Sequence, residues 1–130
     1  MRAMKILLAE DDQFLRELYS DVLTAEGYTV ETAIDGEEAY NKLVVGGWDL
    51  ILLDIIMPKM SGLDVMKKAA EKGPLQQPNK SVIFLTNLDN GEEIKQALIL
   101  GNGYLIKSQI TPGDLVNEVK LYLSQPASTS

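Results

Sequence analysis

The chain has 130 residues, of which 19 are acidic and 12 are basic, so its net charge at pH 7 is -7. This length fits one domain with a buried core, and the negative field disfavours direct binding to nucleic acid or to an anionic membrane. The absence of Cys and His excludes disulfides, thiolate metal sites and imidazole ligands or bases. No apolar stretch approaches the roughly 18 residues of a membrane-spanning helix. We therefore expect a cytoplasmic protein without a cleaved signal.

The first strand and helix are predicted from a change of hydrophobic period. Residues 5–9 are almost all apolar, as in a strand buried on both faces, and they end at the acids Glu10 and Asp11. From residue 13 to residue 26 the apolar residues fall at helical spacing. Asp12 stands just before this helix and is interpreted as its N-cap or as a metal ligand. The apolar stripe predicted for this helix consists of Phe14, Leu15, Leu18, Val22 and Ala25.

The second strand and helix lie between residues 28 and 47. Residues 28–33 alternate and are rich in β-branched side chains, which predicts a strand. Asp35, with Glu38 three residues later, resembles a capping box and predicts the start of a helix. Two glycines at residues 46–47 end it.

The third strand is the most apolar stretch of the chain. Residues 50–53 lead directly into Asp54, and a Pro/Gly turn follows. Ligands of open α/β sheets bind at the carboxyl ends of strands, although a lone Asp after a strand can also simply begin a turn. Ser61 with Asp64 predicts a third helix that ends at Gly73, with Leu63, Met66 and Ala70 on its apolar face.

The remaining elements follow the same alternation. Residues 81–85 predict a fourth strand that ends in Thr86, and residues 92–100 predict a fourth helix. The stripe of this helix is Ile94, Ala97 and Leu98, which leaves Ile99 and Leu100 off the stripe, either as an exposed partner contact or as additional core.

The last strand and helix close the domain. Residues 103–106 predict a fifth strand that Lys107 closes, and Thr111 caps a last helix. Its apolar stripe is Leu115, Val116, Val119, Tyr122 and Leu123. We expect one domain over residues 1–124 and a short polar tail over residues 125–130, which is either a terminus or the start of a linker.

Five strands that alternate with five helices predict an α/β fold with a parallel sheet covered on both faces. Every strand then points its carboxyl end to one edge. The residues expected to meet there are Glu10, Asp11, Asp54, Thr86 and Lys107. Three carboxylates facing one lysine favour a bound cation, and oxygen ligands alone suit Mg²⁺ or Mn²⁺ and disfavour zinc.

This edge also has the groups that phosphoryl transfer requires. An exposed carboxylate beside such a metal can act as a nucleophile towards phosphorus and form an aspartyl phosphate. Lys107 would neutralise phosphoryl oxygens, and Thr86 would donate a hydrogen bond to one of them. The alternatives are a solvated charge for Lys107 and a helix cap for Thr86.

The order of these residues closely resembles the receiver domain of two-component response regulators, over about residues 4–123. The residues that match are Glu10, Asp11, Asp54, Met57, Pro58, Ser61, Gly62, Thr86, Tyr104 and Lys107. The resemblance implies a flavodoxin-like (βα)₅ fold with strand order 2-1-3-4-5. It also implies that Asp54 accepts a phosphoryl group from a sensor histidine kinase or a phosphotransfer protein. Enzymatic activity would be limited to assisting this phosphorylation and its reversal.

The resemblance further implies a ligand set and a switch. Asp11 and Asp54 would bind Mg²⁺ directly, Glu10 would act through water, and the backbone carbonyl of Ile56 would complete the protein ligands. Thr86 and Tyr104 would remodel the face formed by the fourth helix, fifth strand and fifth helix. That face would contact a downstream protein or an effector domain. For Tyr104 the alternative is an ordinary core or surface aromatic residue.

Two features qualify the resemblance. Family members usually have Lys-Pro, typically with a cis bond, where this chain has Lys107-Ser108, so the isomer of this bond is left open. Ile56 and Leu88 follow Asp54 and Thr86 by two positions, and such apolar groups predict slow hydrolysis of the acyl phosphate.

Three rival functions remain at this stage. An FMN binder would need a phosphate-binding loop after the first strand, where the acids would repel the phosphate. A haloacid-dehalogenase-type phosphatase would need a second Asp where this chain has Ile56. A degenerate receiver that binds proteins without phosphorylation is kept open by Ser108.

Overall fold

A computed structural model of the chain describes residues 2–87 and 91–124. Leu88 and the predicted tail of residues 125–130 lie outside the described residues. Five strands and five α-helices alternate along the described chain, and a short 3₁₀ turn, Lys107–Gln109, follows the last strand. The elements are β1 (Lys5–Ala9), α1 (Gln13–Ala25), β2 (Thr29–Ala33), α2 (Gly36–Leu43), β3 (Leu50–Asp54), α3 (Gly62–Lys72), β4 (Val82–Thr86), α4 (Gly91–Leu100), β5 (Gly103–Ile106) and α5 (Pro112–Ser124).

The strands form one parallel sheet in the order β2-β1-β3-β4-β5, which confirms the predicted fold. The register aligns the carboxyl ends of the strands, since Ala9 pairs with Leu53 and Thr86 pairs with Ile106. Every residue of β3 and β4 is buried, as their nearly continuous apolar sequences require. The polar residues that follow the strands are therefore collected at one edge.

Short side chains fix where the helices begin. The Asp12 carboxylate accepts a hydrogen bond from the Leu15 N–H at 2.9 Å, which confirms the predicted N-cap of α1. Asp35 caps α2 and Ser61 caps α3 in the same way. At α5 the Thr111 hydroxyl accepts from Asp114 N–H, and the Asp114 carboxylate accepts from Thr111 N–H, a complete capping box.

Helices cover both faces of the sheet. One core cluster lies between the sheet and α2, α3 and α4, and the other lies between the sheet and α1 and α5. Phe84 is a fully buried member of the first cluster, and Leu115 is a fully buried member of the second. The two clusters hold the strands rigidly, so the loops at the carboxyl edge rest on a fixed base.

Three of the predicted helix stripes need correction. In α1, Phe14 is 72% exposed and Ala25 is also exposed, because the face that packs on the sheet runs along Leu15, Tyr19 and Leu23 at i,i+4 spacing. Leu15, Leu18 and Val22 of the predicted stripe do pack against the second cluster, so the prediction is wrong for Phe14 and Ala25 and omits Tyr19 and Leu23.

The other two corrections concern α3 and α4. In α3, Ala70 is exposed, while Val65 and Ala69 pack on the first cluster. In α4, Leu98 is 56% exposed, because Ala97 is the residue that this helix buries completely against the sheet. Of the two candidates for an exposed contact, Ile99 is 81% exposed, whereas Leu100 packs against the core.

Within residues 2–87 and 91–124, no helix combines the length and the apolar character that a bilayer crossing requires.

Candidate metal centre

The acidic residues predicted to meet at the carboxyl edge do so. Glu10 and Asp11 follow β1 and Asp54 ends β3, and one carboxylate oxygen from each lies within 4.8 Å of the others. Glu10 and Asp54 are buried, whereas Asp11 is exposed. The cluster therefore opens to solvent on the Asp11 side.

Lys107 is the cation of this cluster. Its Nζ atom donates to Glu10 Oε1 at 2.7 Å and to Asp54 Oδ2 at 2.9 Å, and its side chain is only 7% exposed. No peptide bond in the described part of the chain is cis, so the Lys107–Ser108 bond is trans. The lysine thus reaches both acids with a trans Lys107–Ser108 bond.

Burial and mutual repulsion perturb the ionisation of these groups. Burial, followed by the neighbouring Glu10 carboxylate, raises the pKa of Asp54 to about 8, although Lys107 acts in the opposite direction. Burial by itself lowers the pKa of Lys107, but its bonds to Glu10 and Asp54 outweigh this effect and raise it. The pocket therefore stabilises the lysine charge and disfavours a second carboxylate charge.

The donor atoms fit a hard divalent cation. Glu10 Oε2 is buried and has no hydrogen-bond partner among the described residues, which is costly for a carboxylate oxygen unless a cation or water satisfies it. One lysine balances only one of the three acids. Oxygen ligands without nitrogen or sulfur suit Mg²⁺ or Mn²⁺. These residues can therefore hold such an ion, with Asp11 on the open side.

A cavity of about 280 Å³ lies over the cluster and gives access to it. Its walls include Asp11, Asp54, Lys107, Ile56 and Asn87. Ile56 is 57% exposed, so an apolar side chain borders the charged groups. A small anion such as a phosphoryl group can enter this space beside Asp54.

Thr86 and Tyr104 lie on neighbouring strands behind this cavity. Thr86 ends β4 and is 2% exposed, and its partner in the register is Ile106. Tyr104, in β5, pairs with Phe84 and packs, half-buried, against the first core cluster. In this arrangement the tyrosine ring contacts the core, two register positions before the edge that carries Thr86.

The loop after Asp54 is held by close backbone contacts. The Gly62 N–H donates to the carbonyl of Ile55 at 2.8 Å, and a Cβ atom on Gly62 would lie 2.2 Å from the Asp54 carbonyl oxygen. Only glycine allows this approach. In the same loop, Lys59 has a φ of 71°, and its ammonium lies 3.5 Å from an Asp35 carboxylate oxygen.

Sequence reasoning overlooked one residue of the site. Arg16, in the first turn of α1, donates from Nη1 to the carbonyl oxygens of Glu10 and Asp11. An arginine four positions after an N-cap was visible in the sequence. However, contacts to backbone carbonyls leave no pattern of side-chain types by which to recognise them.

The fold and the cluster define a doubly wound α/β domain with an acidic cluster, able to hold a cation, at the carboxyl edge of its sheet. The family model described as the response regulator receiver domain matches residues 6–120. The chain belongs to this family, which confirms the resemblance seen in its motifs. Receiver domains are signalling domains of two-component systems that interact with histidine kinases or phosphotransfer proteins and with effector domains, and they bind Mg²⁺ through an acidic cluster.

Individual relatives agree with this assignment. The chain is 34% identical over 122 residues to the transcriptional regulatory protein DltR of Streptococcus agalactiae, covering 94% of this chain and 53% of DltR. It is 35% identical over 107 residues to the chemotaxis protein CheY of Treponema pallidum, covering 79% of this chain and 72% of CheY. A solved CheY-like receiver domain from Methanospirillum hungatei has a TM-score of 0.81 at 28% identity, over 94% of both chains. The chain spans about half the length of the first curated relatives that it matches.

Proposed function

We propose that Asp54 is the phospho-acceptor of this receiver domain and takes its phosphoryl group from a phosphohistidine of a sensor histidine kinase or phosphotransfer protein. The observation that carries the proposal is the position of Asp54, between Lys107 at 2.9 Å and the carboxylates of Glu10 and Asp11. A carboxylate oxygen forms the new P–O bond as the P–N bond breaks, and the imidazole nitrogen keeps the electron pair.

The residues around Asp54 have separate tasks in this step. Asp11 and Asp54 would bind Mg²⁺ or Mn²⁺ directly, Glu10 would bind through water, and the carbonyl of Ile56 would be the remaining protein ligand. Such an ion would supply positive charge to the phosphoryl oxygens. Lys107, already held by Glu10 and Asp54, supplies the second positive charge on the protein side.

Phosphorylation is proposed to switch the surface of α4, β5 and α5. The phosphoryl group adds about -1.5 to -2 of charge, and Thr86, at the end of β4, would donate to it. A shift of Thr86 would allow Tyr104, on the adjacent strand, to turn inward. Exposed apolar residues support a protein-binding role for this surface, since Ile99 on α4 is 81% exposed and Leu121 on α5 is 59% exposed.

The remaining assignments follow from the receiver function. We assign residues 1–124 to the receiver domain and residues 125–130 to a tail, and we place the protein in the cytoplasm. The switched surface would act on a downstream protein or on an effector domain of a longer regulator. Direct contact with nucleic acid or membrane is not expected at a net charge of -7. Catalysis would be limited to the phosphorylation and dephosphorylation of Asp54 itself.

Intact-mass measurement tests this function. The wild-type chain and the D54N variant are incubated with acetyl phosphate in the presence of Mg²⁺ and again in the presence of EDTA. A gain of one phosphoryl group is expected for the wild type in Mg²⁺ alone. A folded wild type that gains no mass would instead support the degenerate receiver, and an equal gain in D54N would place the phosphoryl group elsewhere.

A further inference from the structure

Arg16 lies beside the acidic turn that connects β1 to α1. Its Nη1 atom donates to the carbonyl oxygen of Glu10 at 2.9 Å and to that of Asp11 at 3.2 Å. Neither bond uses a carboxylate oxygen. The guanidinium therefore holds the backbone of both acids and leaves their side chains available to a cation.

The backbone of Glu10 is fixed from both sides. Its N–H donates to the carbonyl of Ala33 on β2 at 3.1 Å, and its carbonyl accepts from Arg16. Because Glu10 is fully buried, this carbonyl needs a protein donor, and Arg16 provides it. Asp11 differs from Glu10 because its side chain is exposed to solvent. The hydrogen bond from Arg16 to the Asp11 carbonyl restrains the backbone of Asp11 and thereby the direction in which its side chain projects.

The position of Arg16 is unfavourable for α1 itself. A cation in the first turn of a helix opposes the macrodipole, and the first turn of α1 contains no acidic residue, although its N-cap, Asp12, is acidic. The Arg16 guanidinium donates to the two carbonyls of the acidic turn. This indicates that the arginine serves the turn rather than the helix.

We propose that Arg16 is a positioning residue for the divalent cation, because it holds Asp11 where its carboxylate meets those of Glu10 and Asp54. The inference rests on the proposed function, in which Asp11 and Asp54 bind the ion. A ligand that is already held in place loses less conformational entropy when the ion binds. The positive charge of Arg16 has the opposite effect, because it repels the ion. The sign of the change on removing Arg16 therefore separates positioning from charge.

The test measures binding of Mn²⁺ by electron paramagnetic resonance, which reports the free ion, in the full chain and in R16M. Methionine keeps part of the aliphatic stem but has neither a donor nor a charge. The dissociation constant of R16M is expected to be about three- to tenfold higher than that of the wild type. Equal or tighter binding by R16M would overturn the proposal.

The matched control is K72M. This variant removes the same charge from the exposed end of α3, about 15 Å along that helix from Gly62 at its start. Its dissociation constant is expected to stay within about twofold of the wild-type value, because salt screens a charge at that distance. A rise in K72M as large as that in R16M would overturn the proposal, since net charge would then explain both changes.

Rescue and stability separate positioning from a merely structural role. R16K retains a charge and a nitrogen that can donate to both carbonyls. Its affinity for Mn²⁺ is therefore expected to lie nearer to that of the wild type than to that of R16M. Equal affinities of R16K and R16M would count against the proposal. If R16M does not fold, R16Q, whose amide is shorter, is judged by the same criterion. Urea unfolding in EDTA is measured for each variant, because a structural arginine would lower stability without weakening cation binding by the folded protein.

The wild-type result distinguishes the two levels of the hypothesis. A folded wild type that binds no Mn²⁺ contradicts the proposed function itself. A wild type that binds Mn²⁺ with the same affinity as R16M contradicts only the role of Arg16.

Discussion

Replacement of Asp54 by Asn should stabilise the metal-free protein. The buried Asp54 carboxylate lies beside Glu10 and has a pKa raised to about 8, compared with about 3.9 in an unfolded chain. A raised pKa in the folded state means that the wild type loses stability as the pH rises from about 4 to about 8. D54N has no ionisable group at this position, so its advantage over the wild type should grow over the same interval.

The size of this effect follows from linkage. One proton contributes at most about 1.4 kcal/mol per pH unit, so the interval from pH 5 to pH 8 sets an upper limit of about 4 kcal/mol. Two contacts make the effect of D54N on stability smaller than this limit. Lys107 donates to Asp54 and offsets part of its charge, and the repulsion between Glu10 and Asp54 is a property of the pair rather than of Asp54 alone. We expect D54N to be about 2 kcal/mol more stable than the wild type at pH 8 in EDTA, and nearly equal to it at pH 5.

Asp49 provides the matched control, because it is also buried but lies at the opposite edge of the sheet. Burial tends to raise its pKa, but bonds from Arg2, the Lys5 N–H and Lys80 outweigh burial and hold the pKa below its usual range. The ionised Asp49 therefore contributes to stability above about pH 4, the pKa of an aspartate in the unfolded chain. This contribution is lost as the pH falls through the lower pKa that Asp49 has in the folded protein. D49N should be about 2 kcal/mol less stable than the wild type at pH 7, because hydrogen bonds to a buried charge are weakened.

Urea denaturation in EDTA, followed by circular dichroism between pH 5 and pH 8, measures all three proteins. The two aspartate variants should change stability in opposite directions. A D54N variant that is less stable than the wild type at pH 8 would refute the reasoning, because the acidic cluster would then stabilise the metal-free fold.

Further predictions concern the site and its supports. D11N should weaken binding of Mg²⁺ at least about tenfold by calorimetry, because the protein loses one charged ligand, and unchanged affinity would exclude Asp11 as a ligand. G62A should cost about 3 kcal/mol or more in urea denaturation, because its Cβ would lie 2.2 Å from the Asp54 carbonyl oxygen, whereas G91A, which meets nothing within 4 Å, should be nearly neutral. K59G should stabilise the chain by about 0.5 to 1 kcal/mol by relieving the φ of 71° while giving up the ion pairs of an exposed lysine with the buried Asp35 and the exposed Glu37, and a loss of stability would show that those pairs matter more. Fluorescence of Trp48, which is buried before β3 at the edge away from the site, should change little when Mg²⁺ is added, and a large change would show that the ion alters the opposite edge of the sheet.

Most of the fold was predictable because its signals are local. The apolar runs, the capping residues and the alternation of strands with helices each depend on residues close together in sequence. Parallel strands then place Glu10, Asp54 and Lys107 at one edge, although 97 residues separate the first from the last. The acidic cluster could be predicted for the same reason.

What could not be predicted depends on tertiary packing or on the backbone. The stripe of α1 was predicted partly off centre, with Phe14 and Ala25 in place of Tyr19 and Leu23, because only tertiary packing fixes the centre of the buried face. The trans bond after Lys107 was left open because the expectation of a cis bond came from family members that have proline there. Arg16 was overlooked because it binds backbone carbonyls, which every residue possesses.

The most direct test of the cation site is a crystal structure of the chain grown with Mn²⁺, with data collected at a wavelength where manganese scatters anomalously. The account predicts one anomalous peak between the carboxylates of Asp11 and Asp54, with Lys107 still beside Asp54. An anomalous map without a peak there, or a structure with the Asp11 carboxylate turned away from Asp54, would contradict it.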